Sequence, residues 1–328
     1  MMKSILKDRE IPYEMLEGVA FAHPNLQYIE DTGIIINKQC NKQTVPIISG
    51  GGSGHEPAHF GYVGNGMLAA SVSGPLFVPP TYKEILQAIH SVPTENGVFL
   101  IVKNFEADMK EFYRAIELAR NEGITVKYIV THDDISVDTY NYQKRHRGVA
   151  GTVLVHKILG AAAMEGATIE ELEALGLVLT TKIVTLGVAL ESARIEGYPE
   201  YSFPLEKDEV SFGIGIHGEL GYRNEKVDSS ERLAIELVNK LKAFSKWQEG
   251  DEYILLINGL GSMPLMEQYM FTNDIRRLMQ LEGLVIKFCK VGNYMTSYNM
   301  DGISLTACPV VDPKWLEYLN APTTAFAW

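Results

Sequence analysis

The stretch Gly50-Gly51-Gly52-Ser53-Gly54-His55-Glu56-Pro57 constrains this chain more than any other. Four glycines and a serine fill five consecutive positions. Without Cβ atoms in the way, such a backbone can turn sharply and come close to a ligand. The apolar run before it, Val45-Pro46-Ile47-Ile48-Ser49, reads as a buried strand. A strand end that opens into a glycine loop is where open α/β sheets seat their ligands. His55 and Glu56 put two ionisable groups at the end of that loop. A plain flexible turn needs only one or two glycines, so the density here points to a ligand loop.

Around this loop the pattern is α/β. Gly33 to Asn37 and Leu68 to Val72 read as short strands, and Met15 to Ala22 as a weakly amphipathic helix. Gly74 to Thr81 holds three prolines and must be irregular, after which a helix runs from Tyr82 to about His90. Gly97 to Val102 is continuously apolar, as in a sheet covered on both faces. Met109, Phe112, Ile116 and Ala119 then fall at helical spacing up to about Asn121, and Thr125 to Val130 is the next strand. That sequence of elements is a βαβ unit. Two long helical segments follow, Ala150 to Glu165 and Ile169 to about Ala193, with Gly148, Gly151 and Gly160 implying close helix packing.

Two prolines and a glycine between Glu196 and Pro204 mark a boundary, giving domains over residues 1–195 and 196–328. The second part opens with an alternating strand, Glu209 to Ile216. Asp228-Ser229-Ser230-Glu231 is a capping box with Asp228 as the cap, opening a helix to about Trp247. Strands are expected at Tyr253 to Ile257, Leu284 to Phe288 and Ser304 to Cys308, with helices from Pro264 to about Gln280 and from Pro313 to Leu319. The chain of 328 residues thus suits two α/β domains with mixed sheets.

A net charge of -12 and a pI near 5.2 argue against direct binding to nucleic acid or an anionic membrane. The short basic cluster Lys144-Arg145-His146-Arg147 reads as a solvated loop. Cys40, Cys289 and Cys308 are odd in number and lack CxxC spacing, which excludes a disulfide framework or a structural zinc site. There is no apolar signal core and no apolar run of membrane-spanning length, so a cytoplasmic protein is expected.

Polar groups gather at the predicted strand ends: Ser53 and His55 after one, Lys103 and Asp108 after another, His217 after a third. Brought together they would form a small polar pocket suited to a polyhydroxylated carbonyl compound. His217 lies between Gly215 and Gly218, and a neutral imidazole nitrogen can add to an electrophilic carbonyl. His55 or Asp108 could move the proton, and Lys103 with glycine amides could hold the oxygen. Each has a plainer reading: a hydrogen-bonded structural histidine, a carboxylate favoured in a first helical turn, a surface ammonium. His132-Asp133-Asp134 suggests a metal, yet there is no HExxH pair, and no metal is expected. The chain also lacks GxxxxGK, so no cofactor is expected and any nucleotide would sit on another chain.

Gly50 to Pro57 with Gly61-Tyr62-Val63-Gly64 resembles the glycine signature of dihydroxyacetone kinase substrate-binding subunits. So do Arg147 to Lys157, Gly213 to Glu219, Pro264 to Tyr269, Val291 to Ser297, Ala321-Pro322 and Trp328, in order along nearly the whole chain. The resemblance implies a homodimer of two α/β domains. It also implies that His217 binds dihydroxyacetone covalently as a hemiaminal at C2. Gly52, His55, Lys103 and Asp108 fall where the family binds the substrate hydroxyls and assists catalysis, and Ser53 joins them as an expected ligand residue from its place at the strand end.

Three segments depart from the kinase pattern: Asn104-Phe105-Glu106-Ala107-Asp108, Gly74-Pro75-Leu76-Phe77-Val78-Pro79-Pro80 and His217-Gly218-Glu219-Leu220-Gly221. Glu106 adds an anion where a phosphoryl group would approach. Such departures resemble the family's non-kinase branch, coactivators that bind dihydroxyacetone and a TetR-like transcription factor. The alternative is the substrate subunit of a kinase whose nucleotide-bearing subunit is a separate chain.

Overall fold

The structure is a computed structural model describing residues 11–136, 146–193 and 203–328. Among them are twelve strands and eight α-helices. They form two compact units. The first runs through Thr131 and adds Thr152–Thr180 and Glu317–Trp328; the second comprises His132–Gly151 and Thr181–Leu316. The chain therefore passes between units more than once, whereas the sequence suggests one break near residue 195. Residues 196–202 of the proline-marked segment lie outside the described residues.

The first unit is built on a six-stranded sheet in the order β1-β2-β4-β3-β5-β6. Its strands are β1 (Leu26–Tyr28), β2 (Ile34–Asn37), β3 (Ile47–Ser53), β4 (Ala70–Leu76), β5 (Val98–Lys103) and β6 (Val126–Thr131). β4, β3, β5 and β6 run parallel; β1 and β2 complete the sheet antiparallel. β5 reads as one apolar run because every residue in it is buried. Helix α2 (Tyr82–His90) begins at a capping box in which Thr81 and Glu84 satisfy each other's backbone amides. It packs with α3 (Glu106–Asn121) over Ile48, Val72, Leu100 and Val102. α1 is Tyr13–Ala22. α4 (Thr152–Met164) is buried from Thr152 to Ala163, so its amphipathic signal is faint. The last residues return to this unit: Ala327 N–H donates to Gly61 O at 3.0 Å and Asn65 N–H to Thr324 Oγ1 at 2.9 Å.

The second unit carries the sheet β11-β10-β12-β7-β8-β9. Its strands are β7 (Val184–Glu191), β8 (Glu209–Phe212), β9 (Arg223–Lys226), β10 (Glu252–Gly259), β11 (Val285–Gly292) and β12 (Asp301–Pro309). Only the β10–β11 pair is parallel among these. Helices α6 (Ser230–Ser245) and α7 (Leu265–Leu281) bury Leu237, Leu241, Phe271 and Ile275 against Leu186, Val188, Leu255 and Leu305. α8 (Lys314–Asn320) lies near the C-terminus.

Three expectations are corrected. The apolar segment from Ile169 is not one helix to Ala193: α5 (Ile169–Lys182) ends and β7 begins within two residues. Ile183, Val184, Thr185 and Val188 are β-branched and fit a pleated, doubly buried strand better than a helix. The cap of α6 is Ser229, whose Oγ accepts from Arg232 N–H at 3.3 Å, and not Asp228, which stays exposed. The strand expected to Ile216 stops at Phe212, because Gly213 turns the chain with φ +79°.

Candidate functional site

In the first unit the glycine stretch differs from its expected form. β3 continues through Gly50, Gly51, Gly52 and Ser53, so the turn begins only at Gly54. The glycines are needed because neighbours press on the strand. A Cβ on Gly51 would lie 2.5 Å from Lys103 Nζ and 3.2 Å from Asp108 Oδ1. A Cβ on Gly52 would lie 2.7 Å from Val78 N and 2.9 Å from Phe77 C. Lys103 ends β5 beside β3, and Asp108 stands in the first turn of α3. Ser53, His55, Lys103 and Asp108 are all buried. The structure thus gathers Gly52, Ser53, His55, Lys103 and Asp108 at the carboxyl ends of parallel strands, as the sequence suggests.

The segment at residues 74–80 closes over this strand. Ser53 Oγ donates to Gly74 O at 2.7 Å, and Phe77 N–H donates to Ser53 O at 2.9 Å. Phe77 has φ +55° and places its ring 5.4 Å from that of His55, centroid to centroid. The residues that depart from the kinase pattern therefore touch the candidate ligand residues. Glu106, in the second of the three departing segments along the chain, is exposed in the first turn of α3.

The sequence marks Glu56 as an ionisable group without giving it a role, and it does not single out His59 or His156. Glu56 folds back to accept the Gly54 amide at 2.9 Å. Burial raises its carboxyl above the usual range, while that amide and the Lys103 charge pull the other way. His59 and His156 are buried side by side, with His59 Nδ1 3.1 Å from His156 Nε2 and His156 Nδ1 2.8 Å from Thr152 O. Burial takes His156 down to about 3, and burial together with the charge of Lys103 takes His59 well below its ordinary value. Both imidazoles are neutral at pH 7. Nδ1–H of His156 then donates to Thr152 O, leaving its Nε2 to accept from His59. The glycine stretch points to Glu56; two histidines ninety-seven residues apart leave no local signal.

His217 belongs to the second unit, in the loop after β8. Its backbone N–H donates to Glu219 Oε2 at 2.8 Å, and its Nδ1 lies 3.5 Å from Glu219 Oε1. Arg147 lies behind, with Nη1 3.5 Å from Glu219 Oε1. Its Nε donates to Asp134 Oδ2 at 2.6 Å, and its Nη2 donates to Ser136 Oγ at 2.9 Å and Gly213 O at 3.1 Å. A Cβ on Gly215 would run into both Glu219 and Arg147. Burial would raise the Glu219 carboxyl, but the His217 hydrogen bond and the Arg147 charge hold it at about 2. Glu219 is therefore an anion beside the His217 ring throughout the physiological range.

The basic cluster is accordingly not a solvated loop where it is described: His146 is buried, and Arg147 anchors the His217 loop. Lys144 and Arg145 lie outside the described residues. Asp133 serves backbone and hydroxyl donors: it accepts from Val149 N–H at 2.9 Å, Gly151 N–H at 2.8 Å and Thr185 Oγ1 at 2.6 Å. No group of His, Cys, Asp and Glu suited to a metal occurs among the described residues. Cys40, Cys289 and Cys308 carry free thiols. No helix of the described residues is long and apolar enough to cross a membrane.

Comparison with known proteins extends over the same segments. The Dak1 domain description matches residues 17–327. The chain is 63% identical over 329 residues to the DhaKLM operon coactivator DhaQ of Lactococcus lactis subsp. lactis (strain IL1403), covering all of both chains. It is 44% identical over 327 residues to the dihydroxyacetone-binding subunit DhaK of a PTS-dependent dihydroxyacetone kinase of the same strain, covering 99% of this chain and 98% of that one. A solved structure described as the dihydroxyacetone kinase operon co-activator Dha-DhaQ superposes with a TM-score of 0.94 at 63% identity, covering 98% of this chain and 99% of the other. With a family match along nearly its whole length and full-length relatives well above 30% identity, the chain belongs to the Dak1 domain family.

Proposed function

We propose that this protein is a dihydroxyacetone receptor that acts as coactivator of a transcription regulator of the TetR type. The coactivator part rests on its likeness to the full-length coactivator relative. The observation that carries the ligand chemistry is the anionic Glu219 beside His217 Nδ1. A carboxylate there favours the tautomer with the proton on Nδ1, leaving the Nε2 lone pair as nucleophile. Nε2 forms the new N–C bond to C2 of dihydroxyacetone. The carbonyl π pair moves to oxygen, which takes up a proton to become a hydroxyl. The positive charge left on the ring is balanced by Glu219 or discharged by loss of the Nδ1 proton. The product is a hemiaminal, with no bond of the ligand broken apart from the carbonyl π bond.

Ser53, His55, Lys103 and Asp108, with the Gly52 backbone, supply the polar groups for the two terminal hydroxyls and the C2 oxygen. Lys103 and Asp108 both come up against Gly51, where a Cβ would meet each of them. A receptor switches its partner only when the ligand binds one conformation better than another. The family resemblance further implies a homodimer, testable by sedimentation.

Intact-protein mass spectrometry with dihydroxyacetone should show one adduct per chain, mapping to the peptide containing His217 and absent in His217→Ala. In a gel-shift assay with the purified regulator and its operator, wild type plus dihydroxyacetone should change regulator occupancy and His217→Ala should not. A full regulatory response in His217→Ala would refute the covalent switch.

A further inference from the structure

The first two turns of α7 turn an apolar stripe to solvent. Leu265, Met266, Tyr269 and Met270 are 59%, 72%, 58% and 58% exposed, while Gln268, Phe271, Ile275 and Met279 face the core. The four exposed residues fall at i, i+1, i+4 and i+5, so they adjoin on one helical surface. Scattered apolar residues are ordinary on a surface, but a contiguous set is the mark of an interaction site.

A cavity of about 310 Å³ opens beside that stripe, wholly within the second unit. Val210, Leu233, Met263 and Phe271 are among its apolar walls, and α7 contributes Glu267 and Met270. Met270 belongs to both features: it is exposed on the stripe and lines the cavity.

The same edge is acidic. Asp301 pairs with Glu191 across β12 and β7. Burial raises the Asp301 carboxyl above its ordinary range, and the charges of Glu267 and Glu191 raise it further. Asp301 Oδ1 is buried and accepts no hydrogen bond among the described residues. None of the three carboxylates has a Lys or Arg partner within ion-pair distance among those residues. A cavity for an apolar side chain thus lies next to carboxylates that a cation would relieve.

We propose that this face of α7 is the docking surface for an amphipathic helix of the transcription regulator. That helix places one large apolar side chain in the cavity beside Met270 and a Lys or Arg, one turn along, at Glu267 and Asp301. A helix laid along two turns of α7 matches the stripe, and a basic residue with a long apolar stem suits an edge that is apolar below and acidic above. The inference rests on the coactivator reading and specifies the partner's chemistry.

The test is the affinity of full-length Glu267→Lys and Met270→Glu for the purified regulator, beside wild type. Both positions are on the surface, and dihydroxyacetone binding to each variant controls for folding. Each variant should bind the regulator about tenfold or more weakly while still binding dihydroxyacetone. A Lys→Glu or Arg→Glu change on one exposed helix of the regulator should restore binding to Glu267→Lys. Wild-type affinity in both variants overturns the docking assignment and leaves the coactivator reading standing. If wild type itself does not bind the regulator, the coactivator reading falls and this inference with it. Loss of dimerisation in Met270→Glu, with regulator binding intact, would assign the face to a second copy of this chain and also overturn the proposal.

Discussion

At the scale of single residues, Glu219 does the most for its neighbourhood. Its carboxylate ties the His217 amide, the His217 ring and the Arg147 guanidinium together in one loop. Its folded pKa, about 2, lies below the ordinary 4.5. The sign follows by linkage: the unfolded chain binds the proton more readily, so Glu219 contributes stability above pH 4.5 that is lost as pH falls toward 2. With 34% of the side chain exposed, solvent screening reduces that contribution. After that discount it is about 1–2 kcal/mol. Glu219→Gln should therefore be less stable than wild type by this amount at pH 6, with the gap narrowing as pH drops below 4.5, read by urea unfolding at each pH. A gap that did not change with pH would assign the effect to hydrogen-bond geometry and not to charge. The pairing of Glu219 with Arg147 is not legible in the sequence, because contacts between loops carry no periodicity. His55, Lys103 and Asp108 do stand out, because each follows an apolar run that ends abruptly in polar residues.

At the scale of elements, glycine placement separates what the sequence shows from what it hides. Gly160 lies inside α4, where a Cβ would press into the Met67 backbone and come within 2.7 Å of Gly66 O. An alanine there gains about 1 kcal/mol of helix propensity. Against backbone atoms that cannot rotate away, overpacking costs about 1–3 kcal/mol. Gly160→Ala should thus be destabilised by up to about 2 kcal/mol in urea unfolding. A more stable variant would show that α4 has room to shift. Close packing at this glycine is legible from its position within an otherwise apolar helix. The unit β5-α3-β6 is equally legible, since its period changes cleanly from a continuous run to helical spacing and back. The α5–β7 junction is not, because an apolar run past Lys182 satisfies both periods until a neighbouring strand claims it. β1 and β9, of three and four residues, are too short to show alternation. The glycines of β3 announce a close approach correctly, but the approach is made by β4, Lys103 and the Phe77 segment, which the sequence does not place.

At the scale of the whole molecule, the question is whether a fold shared with kinase subunits still presents its ligand to a phosphoryl donor. The candidate ligand residues suit either role, so the decision lies in what surrounds them. Glu106 stands exposed in the first turn of α3, two residues before Asp108. Phe77 and Val78 pack directly on Gly52. A phosphoryl group in transfer carries negative charge on its equatorial oxygens and is stabilised by positive groups, so an added carboxylate where the donor approaches would oppose the reaction. The chain as a whole adds to this, with a net charge of -12. Mixed with a competent nucleotide-bearing kinase subunit and phosphoryl donor, this protein should phosphorylate dihydroxyacetone at less than about one-hundredth of the rate of a genuine substrate subunit. It should still bind dihydroxyacetone in a His217-dependent manner. Kinase subunits of the family usually read Asn-Tyr-Thr-Gly-Asp where this chain has Asn104 to Asp108, so Glu106→Thr with Ala107→Gly, two of the three changes in that segment, removes the charge and puts a glycine there. Turnover recovered in that double variant would locate the lost activity in the charge and crowding beside Asp108. Continued inactivity with the ligand bound would locate it in the surface that receives the nucleotide-bearing subunit. Turnover near the control by the unaltered protein would make it an enzyme component and overturn the reading of it as a non-kinase receptor.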